Sequence, residues 1–329
     1  MKQRVFVTRK IPDEGLRMIT ERFDTTVWPS DNPPSVKEIV QNAEDCEGIV
    51  TLLSDPIGRD VISKLPKLKV IAQYAVGYDN IDISFATERK IAVTNTPGVL
   101  TETTADLAWA LIMAAARRIV ESDSYVRDGK WNVAWGPELL LGSDIYGATL
   151  GIIGLGRIGS AVARRASGFN MKILYHTRSE NEYTKEIESK TNGTRADLQT
   201  LLSESDIVSL HIPLSSETHH LLGENEFKIM KPRAVLVNTS RGAVVDEDAL
   251  CKALKSGHLG AAGLDVFKQE PLQKNSPLMK LPNVILAPHI GSASTKTRAT
   301  MATMCAENLI AALDGKQPPN LVNKEVFEK

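Results

Sequence analysis

The strongest constraint on the fold of this chain is a glycine-rich segment near its middle. Residues 149–159 read TLGIIGLGRIG, a short apolar run followed by Gly154, Gly156 and Gly159 in the spacing G-x-G-x-x-G. The apolar run predicts a buried strand, and the segment AVARRASGF after it predicts a helix. In such a unit the first glycine permits a tight turn, the second lets a pyrophosphate approach the backbone, and the third lets helix and strand pack closely. The helix N-terminus adds free N–H groups, so the segment predicts a dinucleotide-binding site.

The end of the next predicted strand, MKILYHT, favours one class of dinucleotide. Sites for NAD usually carry Asp or Glu there, about 20 residues beyond the glycines, to bind the ribose 2′-OH. This chain has His176, Thr177, Arg178 and Ser179, with no carboxylate to repel a 2′-phosphate. Arg178 is suited to pair with that phosphate, and the two hydroxyls are additional donors. The segment therefore favours NADPH and leaves NADH possible.

Composition excludes several other classes of protein. The chain has 329 residues, 24% of them charged, and its net charge of −1 predicts neither a nucleic-acid partner nor a membrane surface. Its N-terminus lacks the long apolar run of a signal peptide, and the apolar residues 107–116 are too few to cross a bilayer. Cys46, Cys251 and Cys305 form neither a metal motif nor a disulfide framework. We therefore expect no metal and a cytoplasmic location.

Strand and helix patterns alternate on both sides of the glycine segment, which predicts an α/β protein with parallel sheets. Five strands are predicted before Pro97-Gly98 and six from Thr149 onward. We expect two Rossmann-like or flavodoxin-like domains with a cleft between them. The substrate domain is discontinuous (residues 1–98 plus 290–329), and residues 99–289 form the dinucleotide-binding domain.

The start of the second domain is unusually apolar. One long helix is predicted from Thr101 to Tyr125, followed by the segment DGKWNVAWGPELLLGSDIYG. Exposed apolar surface of this kind needs cover, which favours a subunit partner, although packing within the chain stays open. Residues from about 101 to 147 are therefore expected to form a dimerisation helix and arm.

Three side chains that suit carbonyl reduction follow predicted strands of the second domain. Arg241 lies in NTSRG, Glu270 in DVFKQEP and His289 in LAPHIGS. Hydride transfer to a carbonyl creates an alkoxide that needs a proton, and histidine exchanges one near neutral pH. A neighbouring carboxylate favours the imidazolium, and an arginine grips a substrate carboxylate through two parallel hydrogen bonds. We therefore expect His289 to be the acid, Glu270 its partner and Arg241 the carboxylate clamp, with backbone N–H groups around Val76-Gly77 assisting.

The chain resembles the D-isomer-specific 2-hydroxyacid dehydrogenase family over its length, most closely the glyoxylate reductase and hydroxypyruvate reductase branch. The motifs that carry the resemblance are YAVGYDNID, NTPGVLTETTADLAWAL, GIIGLGRIG, VNTSRGAVVDEDAL, AGLDVFKQEP and LAPHIGSAS. The resemblance implies an Arg–Glu–His catalytic set, matched by Arg241, Glu270 and His289. It also implies a homodimer. The cofactor contacts that it implies include Leu155, Gly156, Arg157, Ile158, Thr177, Arg178, Ser179, His211, Pro213, Thr239, Ser240, Arg241, Asp265, His289 and Gly291.

The resemblance also bears on the substrate. Trp135 matches a tryptophan that the neighbouring subunit inserts over the pocket in this branch, and Leu53 matches the opposite wall. A small, mostly apolar pocket with one arginine clamp implies glyoxylate and hydroxypyruvate as substrates. Two alternatives remain: a D-2-hydroxyacid dehydrogenase of the lactate or glycerate type, and a nucleotide-sensing protein like the co-repressors that share this fold.

Overall fold

The computed structural model describes residues 2–179 and 181–328. They form two compact units, of which unit 1 is Met1–Leu100 with Ser292–Lys329 and unit 2 is Thr101–Gly291. No described helix combines the length and the apolar character needed to cross a membrane.

Unit 1 is built on a five-stranded parallel sheet. Its elements before residue 100 are β1 (Arg4–Val7), α1 (Asp13–Arg22), β2 (Asp24–Val27), α2 (Val36–Ala43), β3 (Gly48–Thr51), α3 (Arg59–Ile62), β4 (Val70–Gln73), α4 (Ile83–Glu88) and β5 (Ala92–Thr94). The strand order is β2-β1-β3-β4-β5, which is the flavodoxin-like order. A capping box begins α2, in which Ser35 accepts from the Glu38 N–H while the Glu38 carboxylate accepts from the Ser35 N–H.

Unit 2 is built on a seven-stranded parallel sheet. Its elements are α5 (Thr101–Ala116), α6 (Ile119–Arg127), β6 (Thr149–Ile153), α7 (Arg157–Ala166), β7 (Lys172–His176), α8 (Glu182–Thr191), β8 (Thr194–Arg195), α9 (Leu198–Glu204), β9 (Ile207–Leu210), α10 (Glu224–Ile229), β10 (Val235–Asn238), α11 (Glu247–Lys255), β11 (Ala261–Leu264) and β12 (Val284–Leu286). The strand order is β12-β11-β10-β9-β6-β7-β8. Counted from β6, this is the Rossmann order with a seventh strand at one edge. The strands β7 and β8 are added on one side of β6 and the strands from β9 onward on the other, so the strand order reverses between β6 and β9. The predicted α/β class with two parallel-sheet domains is confirmed.

The last long helix, α12 (Thr295–Leu313), returns to unit 1 and packs on α1 and β4. Its buried side chains Met301, Cys305 and Leu309 join the apolar core on that face of the sheet. A second core, with α2, α3 and α4, covers the other face. Both faces of the unit 2 sheet are likewise covered. This coverage explains why the strands read as continuous apolar runs.

Two predictions about elements are wrong. The helix expected from Thr101 to Tyr125 breaks after Ala116, because Arg118 adopts a left-handed backbone with φ of 53° that an α-helix does not accommodate. The Arg118 guanidinium there binds the Glu121 carboxylate and the Leu141 carbonyl. The count of six strands from Thr149 is also wrong, since it omits the two-residue β8, which has no apolar pattern and is exposed.

Candidate active site

The glycine turn has the geometry that its spacing predicts. Gly154 has φ of 98°, and a Cβ there would lie 2.6 Å from the His211 carbonyl oxygen. A Cβ on Gly159 would overlap the Gly154 carbonyl oxygen, so α7 can begin this close to β6 only with glycine. Around Gly156 the space is open, and a Cβ at that position would meet no described atom within 4 Å. The first and third glycines are therefore needed by the fold itself, whereas the second leaves room for a ligand.

The start of α7 fits an anionic ligand. Gly156 is the N-cap residue and offers no side chain to accept from the first helical N–H groups. These donors and the positive end of the helix dipole lie beside the open space at Gly156. Residues 154–159 thus form a cradle that a side chain at position 156 would fill, and they fit the pyrophosphate of a dinucleotide.

The loop after β7 carries charges of both signs. The guanidinium of Arg178 lies 2.9 Å from the carboxylate of Glu217, and both side chains are exposed. Arg195 approaches from β8 and donates to the Thr177 carbonyl oxygen at 3.2 Å. Residues 176–179 contain no carboxylate, but the fold supplies one from a loop 39 positions further along the chain. Neither Glu217 nor Arg195 was predicted from the sequence, because only the tertiary fold brings them to this loop.

His211 directly follows β9 and lies beside the end of β6, where the strand order reverses. Its backbone N–H donates to the Ile153 carbonyl oxygen at 2.8 Å, and its ring Nε2 lies 2.8 Å from the Ser209 hydroxyl. Burial lowers the pKa of His211 to about 3, so the ring is neutral near pH 7. His211 is therefore a neutral wall of this region, and Pro213 follows it on the exposed side of the loop.

The loop after β10 is organised by Asn238. The buried Asn238 amide accepts from the Ser240 N–H and hydroxyl and donates to the Arg241 carbonyl oxygen at 2.9 Å. Thr239 has a buried hydroxyl oxygen without a hydrogen-bond partner among the described residues. The half-buried Arg241 donates through Nη1 to the Ser240 carbonyl oxygen. Asn238 was not predicted as a site residue, although it stands in the VNTSRG motif.

His289 and Glu270 form the pair that the sequence predicts. Nδ1 of His289 lies 2.6 Å from one carboxylate oxygen of Glu270, and the other oxygen accepts from the Phe267 N–H at 3.0 Å. Burial raises the pKa of Glu270, but the His289 ring, the Phe267 N–H and the Arg241 charge together bring it below its ordinary value. Glu270 is thus an ionised acceptor near pH 7. No described residue makes a hydrogen bond to Nε2 of His289, so this nitrogen can face a ligand.

Asp265 holds the backbone of His289 and of the two residues that follow it. Its buried carboxylate accepts from the Ile290 N–H at 2.7 Å and the Gly291 N–H at 2.8 Å, and its carbonyl accepts from the His289 N–H. Burial outweighs these hydrogen bonds and raises the pKa of Asp265 above its ordinary value. His289 itself has φ of 53°, a left-handed conformation that costs a non-glycine residue energy. Asp265 therefore stabilises the loop that orients the His289 ring.

Gly242 is a further residue that was not predicted from the sequence. A Cβ at this position would overlap the carbonyl of Phe267, so the loop that carries Arg241 contacts the loop that leads to Glu270. The signal was available, since Gly242 directly follows Arg241 in NTSRG, but a glycine alone does not tell which backbone it approaches.

The remaining predicted residues lie elsewhere. Leu53 follows β3, and Val76 and Gly77 follow β4; all three belong to unit 1 and are half-buried. Trp135 belongs to unit 2 and is 77% exposed. It lies in a surface segment, residues 113–146, that holds ten of the fifteen exposed large hydrophobic side chains in the described chain. We call this segment the apolar arm.

Known proteins resemble this chain over nearly its full length. A family model described as "D-isomer specific 2-hydroxyacid dehydrogenase, NAD binding domain" matches residues 109–291. A glyoxylate reductase of Korarchaeum cryptofilum is 59% identical over 328 residues, which cover 100% of this chain and 98% of the relative. The TT0316 protein of Thermus thermophilus is 47% identical with a TM-score of 0.91, covering 97% of this chain and 100% of that one.

A more distant structure contains ligands. The NADPH-dependent glyoxylate/hydroxypyruvate reductase of Sinorhizobium meliloti, in complex with NADP and malonate, is 32% identical with a TM-score of 0.87. The match covers 100% of this chain and 99% of that one. The glycine cradle, the His289–Glu270 pair and these similarities lead to one conclusion: the chain is an oxidoreductase with an NAD-binding domain and belongs to the D-isomer specific 2-hydroxyacid dehydrogenase family.

Proposed function

We propose that this protein reduces small 2-oxo acids, glyoxylate to glycolate and hydroxypyruvate to D-glycerate, with NADPH as the preferred reductant. The observation that carries the proposal is the His289–Glu270 pair, with its 2.6 Å hydrogen bond and the open Nε2 of His289. The names of the similar reductases support the choice of substrates.

In the proposed reaction, the bound nicotinamide supplies the hydride for the carbonyl carbon. His289 donates the proton from Nε2 to the carbonyl oxygen, while Nδ1–H remains bonded to Glu270. The ionised Glu270 stabilises the protonated ring before the transfer and fixes its orientation. Arg241 binds the substrate carboxylate through its guanidinium fork and so holds the carbonyl in line.

The cofactor is held by the glycine turn and the loops beside it. We assign the pyrophosphate to residues 154–159 and the 2′-phosphate to Thr177, Arg178 and Ser179. The guanidinium groups of Arg178 and Arg195 both lie at this loop, and the Arg178 side chain is exposed to an approaching ligand. We assign His211 and Pro213 to the adenosine, and Thr239, Ser240, Asp265 and Gly291 to the nicotinamide side of the cofactor.

We propose a homodimer formed through the apolar arm, with Trp135 of one subunit covering the substrate of its partner and Leu53 as the facing wall. The concentration of exposed apolar side chains in residues 113–146 supports this assembly. We also propose a cytoplasmic location, supported by three cysteines that are all free.

A turnover assay tests the proposal. NADPH and NADH absorbance are followed with glyoxylate, hydroxypyruvate and pyruvate near neutral pH. Rapid NADPH oxidation with the first two acids is expected. A preference for pyruvate would move the assignment to a lactate-type enzyme, and a lack of turnover with all three would contradict the proposed function.

Substitution of the carboxylate clamp sharpens this test. Because Arg241→Lys keeps the charge and loses the two-pronged geometry, we expect kcat/KM for glyoxylate to fall about 10²-fold or more. Arg164→Ala, which breaks an exposed ion pair with Glu102 in the same unit, is the control and should change kcat/KM little. Unchanged kcat/KM in Arg241→Lys would overturn the role of Arg241.

A further inference from the structure

Three consecutive carbonyl groups in the loop after β4 are each held by a donor. The Ala75 carbonyl oxygen accepts from the Thr96 N–H at 2.8 Å, and the Val76 carbonyl oxygen accepts from the Asn95 side-chain amide at 2.8 Å. The Gly77 carbonyl oxygen accepts from the Gln73 side-chain amide at 3.2 Å. The loop is therefore fixed by groups from the ends of β4 and β5 in the same unit.

These hydrogen bonds determine where two backbone N–H groups point. In a trans peptide the N–H lies opposite the C=O, and the peptides joining Ala75, Val76 and Gly77 are trans. The bond from Thr96 thus turns the Val76 N–H away from β5, and the bond from Asn95 does the same for the Gly77 N–H. No described residue accepts from either of these two donors. Two adjacent, half-buried N–H groups therefore point away from β5 and have no acceptor among the described residues. Adjacent backbone N–H groups of this kind bind anions.

Asn95 is itself held on both sides. Its N–H donates to the Asn320 carbonyl oxygen at 3.2 Å, and its carbonyl oxygen accepts from the amide of Asn308 at 3.0 Å. Asn308 lies on α12, is fully buried, and also accepts from the Asn320 N–H. These hydrogen bonds fix the backbone of Asn95, and its side-chain amide is thereby held against the Val76 carbonyl.

The bond from Gln73 has a similar support. Gln73 is fully buried on β4, and its amide oxygen accepts from the Thr51 hydroxyl at 2.6 Å. Its amide nitrogen also donates to Asn80 at 2.8 Å. Asn80 in turn donates to the carbonyl oxygens of Leu52 and Asp55, which flank Leu53. One polar network thus connects the loop of Gly77 with the loop of Leu53.

We propose that Asn95 is a positioning residue for substrate binding. Its amide orients the Val76–Gly77 peptide so that the Gly77 N–H donates to the substrate carboxylate. The inference rests on the proposed function, to which it adds a contact between this loop and the carboxylate of the 2-oxo acid. Without the amide, the Val76 carbonyl loses its donor and the peptide is free to rotate, so carboxylate affinity falls while the nucleotide site in unit 2 is untouched.

The test compares Asn95→Ala with Asn323→Ala. Asn323 is a matched control, because it is a buried asparagine of the same unit with three hydrogen bonds to Ile91, Val93 and Thr87. For Asn95→Ala we expect KM for glyoxylate and Ki for malonate to rise about tenfold, with kcat changed less and NADPH affinity unchanged. For Asn323→Ala we expect a lower Tm with KM and Ki unchanged. Should Asn95→Ala not fold, Asn95→Ser is the second variant.

The outcomes separate the two proposals. Wild-type turnover combined with wild-type KM and Ki in Asn95→Ala would overturn the positioning role alone. An equal rise of KM in both variants would assign the effect to general destabilisation and also overturn it. A wild-type protein that turns over none of the 2-oxo acids would overturn the proposed function, and the positioning role would fall with it.

Discussion

The ring of His289 has two nitrogens with different surroundings. Nδ1 is bonded to the Glu270 carboxylate, and Nε2 has no hydrogen bond to the described residues. The backbone of the same residue is held in a left-handed conformation by Asp265. The energy of that conformation is offset by three hydrogen bonds around one loop, which makes the position of the ring well defined.

Glu270→Gln tests the pair through the rate of reduction. The Glu270 carboxylate makes a hydrogen bond with Nδ1 of His289 and fixes the ring, whereas a neutral amide interacts with the ring more weakly. We expect kcat/KM for glyoxylate to fall about tenfold or more. The measurement is kcat/KM near neutral pH. Glu224→Gln, which breaks an exposed pair with Lys228, is the charge-matched control; an unchanged kcat/KM in Glu270→Gln would contradict the assignment.

Glu270 also links pH to stability. Its pKa is lower in the folded protein than in a free side chain, whose value is about 4.5. The carboxylate therefore stabilises the fold above that value, and this contribution is lost as pH falls through the folded pKa. The difference in Tm between wild type and Glu270→Gln should accordingly shrink on acidification below about pH 4.5.

The Arg178–Glu217 pair provides a residue-scale test of cofactor choice. The pair is exposed and contributes at most about 1 kcal/mol, so a 2′-phosphate can displace it. Arg178→Ala should weaken NADPH binding about tenfold with little change for NADH. Glu217→Gln removes the competing negative charge and should tighten NADPH binding several-fold. Fluorescence titration with both nucleotides measures these affinities, with Glu186→Gln of the exposed Lys190 pair as control. Equal changes for NADPH and NADH would argue against a 2′-phosphate site here.

At the scale of elements, different glycines of the strand–turn–helix unit β6–α7 serve folding and ligand binding. Gly154 and Gly159 have no room for a side chain, whereas Gly156 does. Three loop residues have a similar supporting role: Asn238 and Gly242 fix the loop that carries Arg241, and Asp265 fixes the loop that carries His289.

Two substitutions in the glycine turn should therefore have opposite effects. Gly154→Ala must adopt φ near 98° and contacts the His211 carbonyl, so we expect a loss of about 2 kcal/mol or more in the free energy of unfolding. Gly156→Ala should change stability by less than about 0.5 kcal/mol but weaken dinucleotide binding about tenfold. Urea unfolding and nucleotide titration measure the two effects. Wild-type nucleotide affinity in Gly156→Ala would place the pyrophosphate elsewhere.

For the whole molecule, the apolar arm predicts the assembly. We expect the 36.0 kDa chain to sediment as a dimer, because the exposed side chains of residues 113–146 need cover. A variant with Trp131, Val133 and Leu141 all changed to Ser should shift the equilibrium toward monomer, and Met279→Ser, an equally exposed change outside the arm, should not. Sedimentation at micromolar concentration decides between these outcomes. A monomeric wild type would contradict the proposed dimer.

The sequence by itself determined the α/β class, the place of the glycine turn and the pairing of Glu270 with His289. These depend on local patterns: apolar runs predict buried strands, glycine spacing predicts the turn, and residues after parallel strands lie at one edge of the sheet. The two-residue β8 and the break at Arg118 were not predictable in this way. Thr194 and Arg195 are too few and too polar to show an apolar period, and no Gly or Pro lies beside Arg118.

Only the tertiary structure decided which distant groups meet. It brings the Glu217 carboxylate to Arg178, the Asp265 carboxylate to the N–H groups of Ile290 and Gly291, and the Asn95 amide to the Val76 carbonyl. Such contacts join residues that are 19 to 39 positions apart. Their partners are set by strand order and by the packing of helices on the sheet, and local sequence patterns carry no information about either.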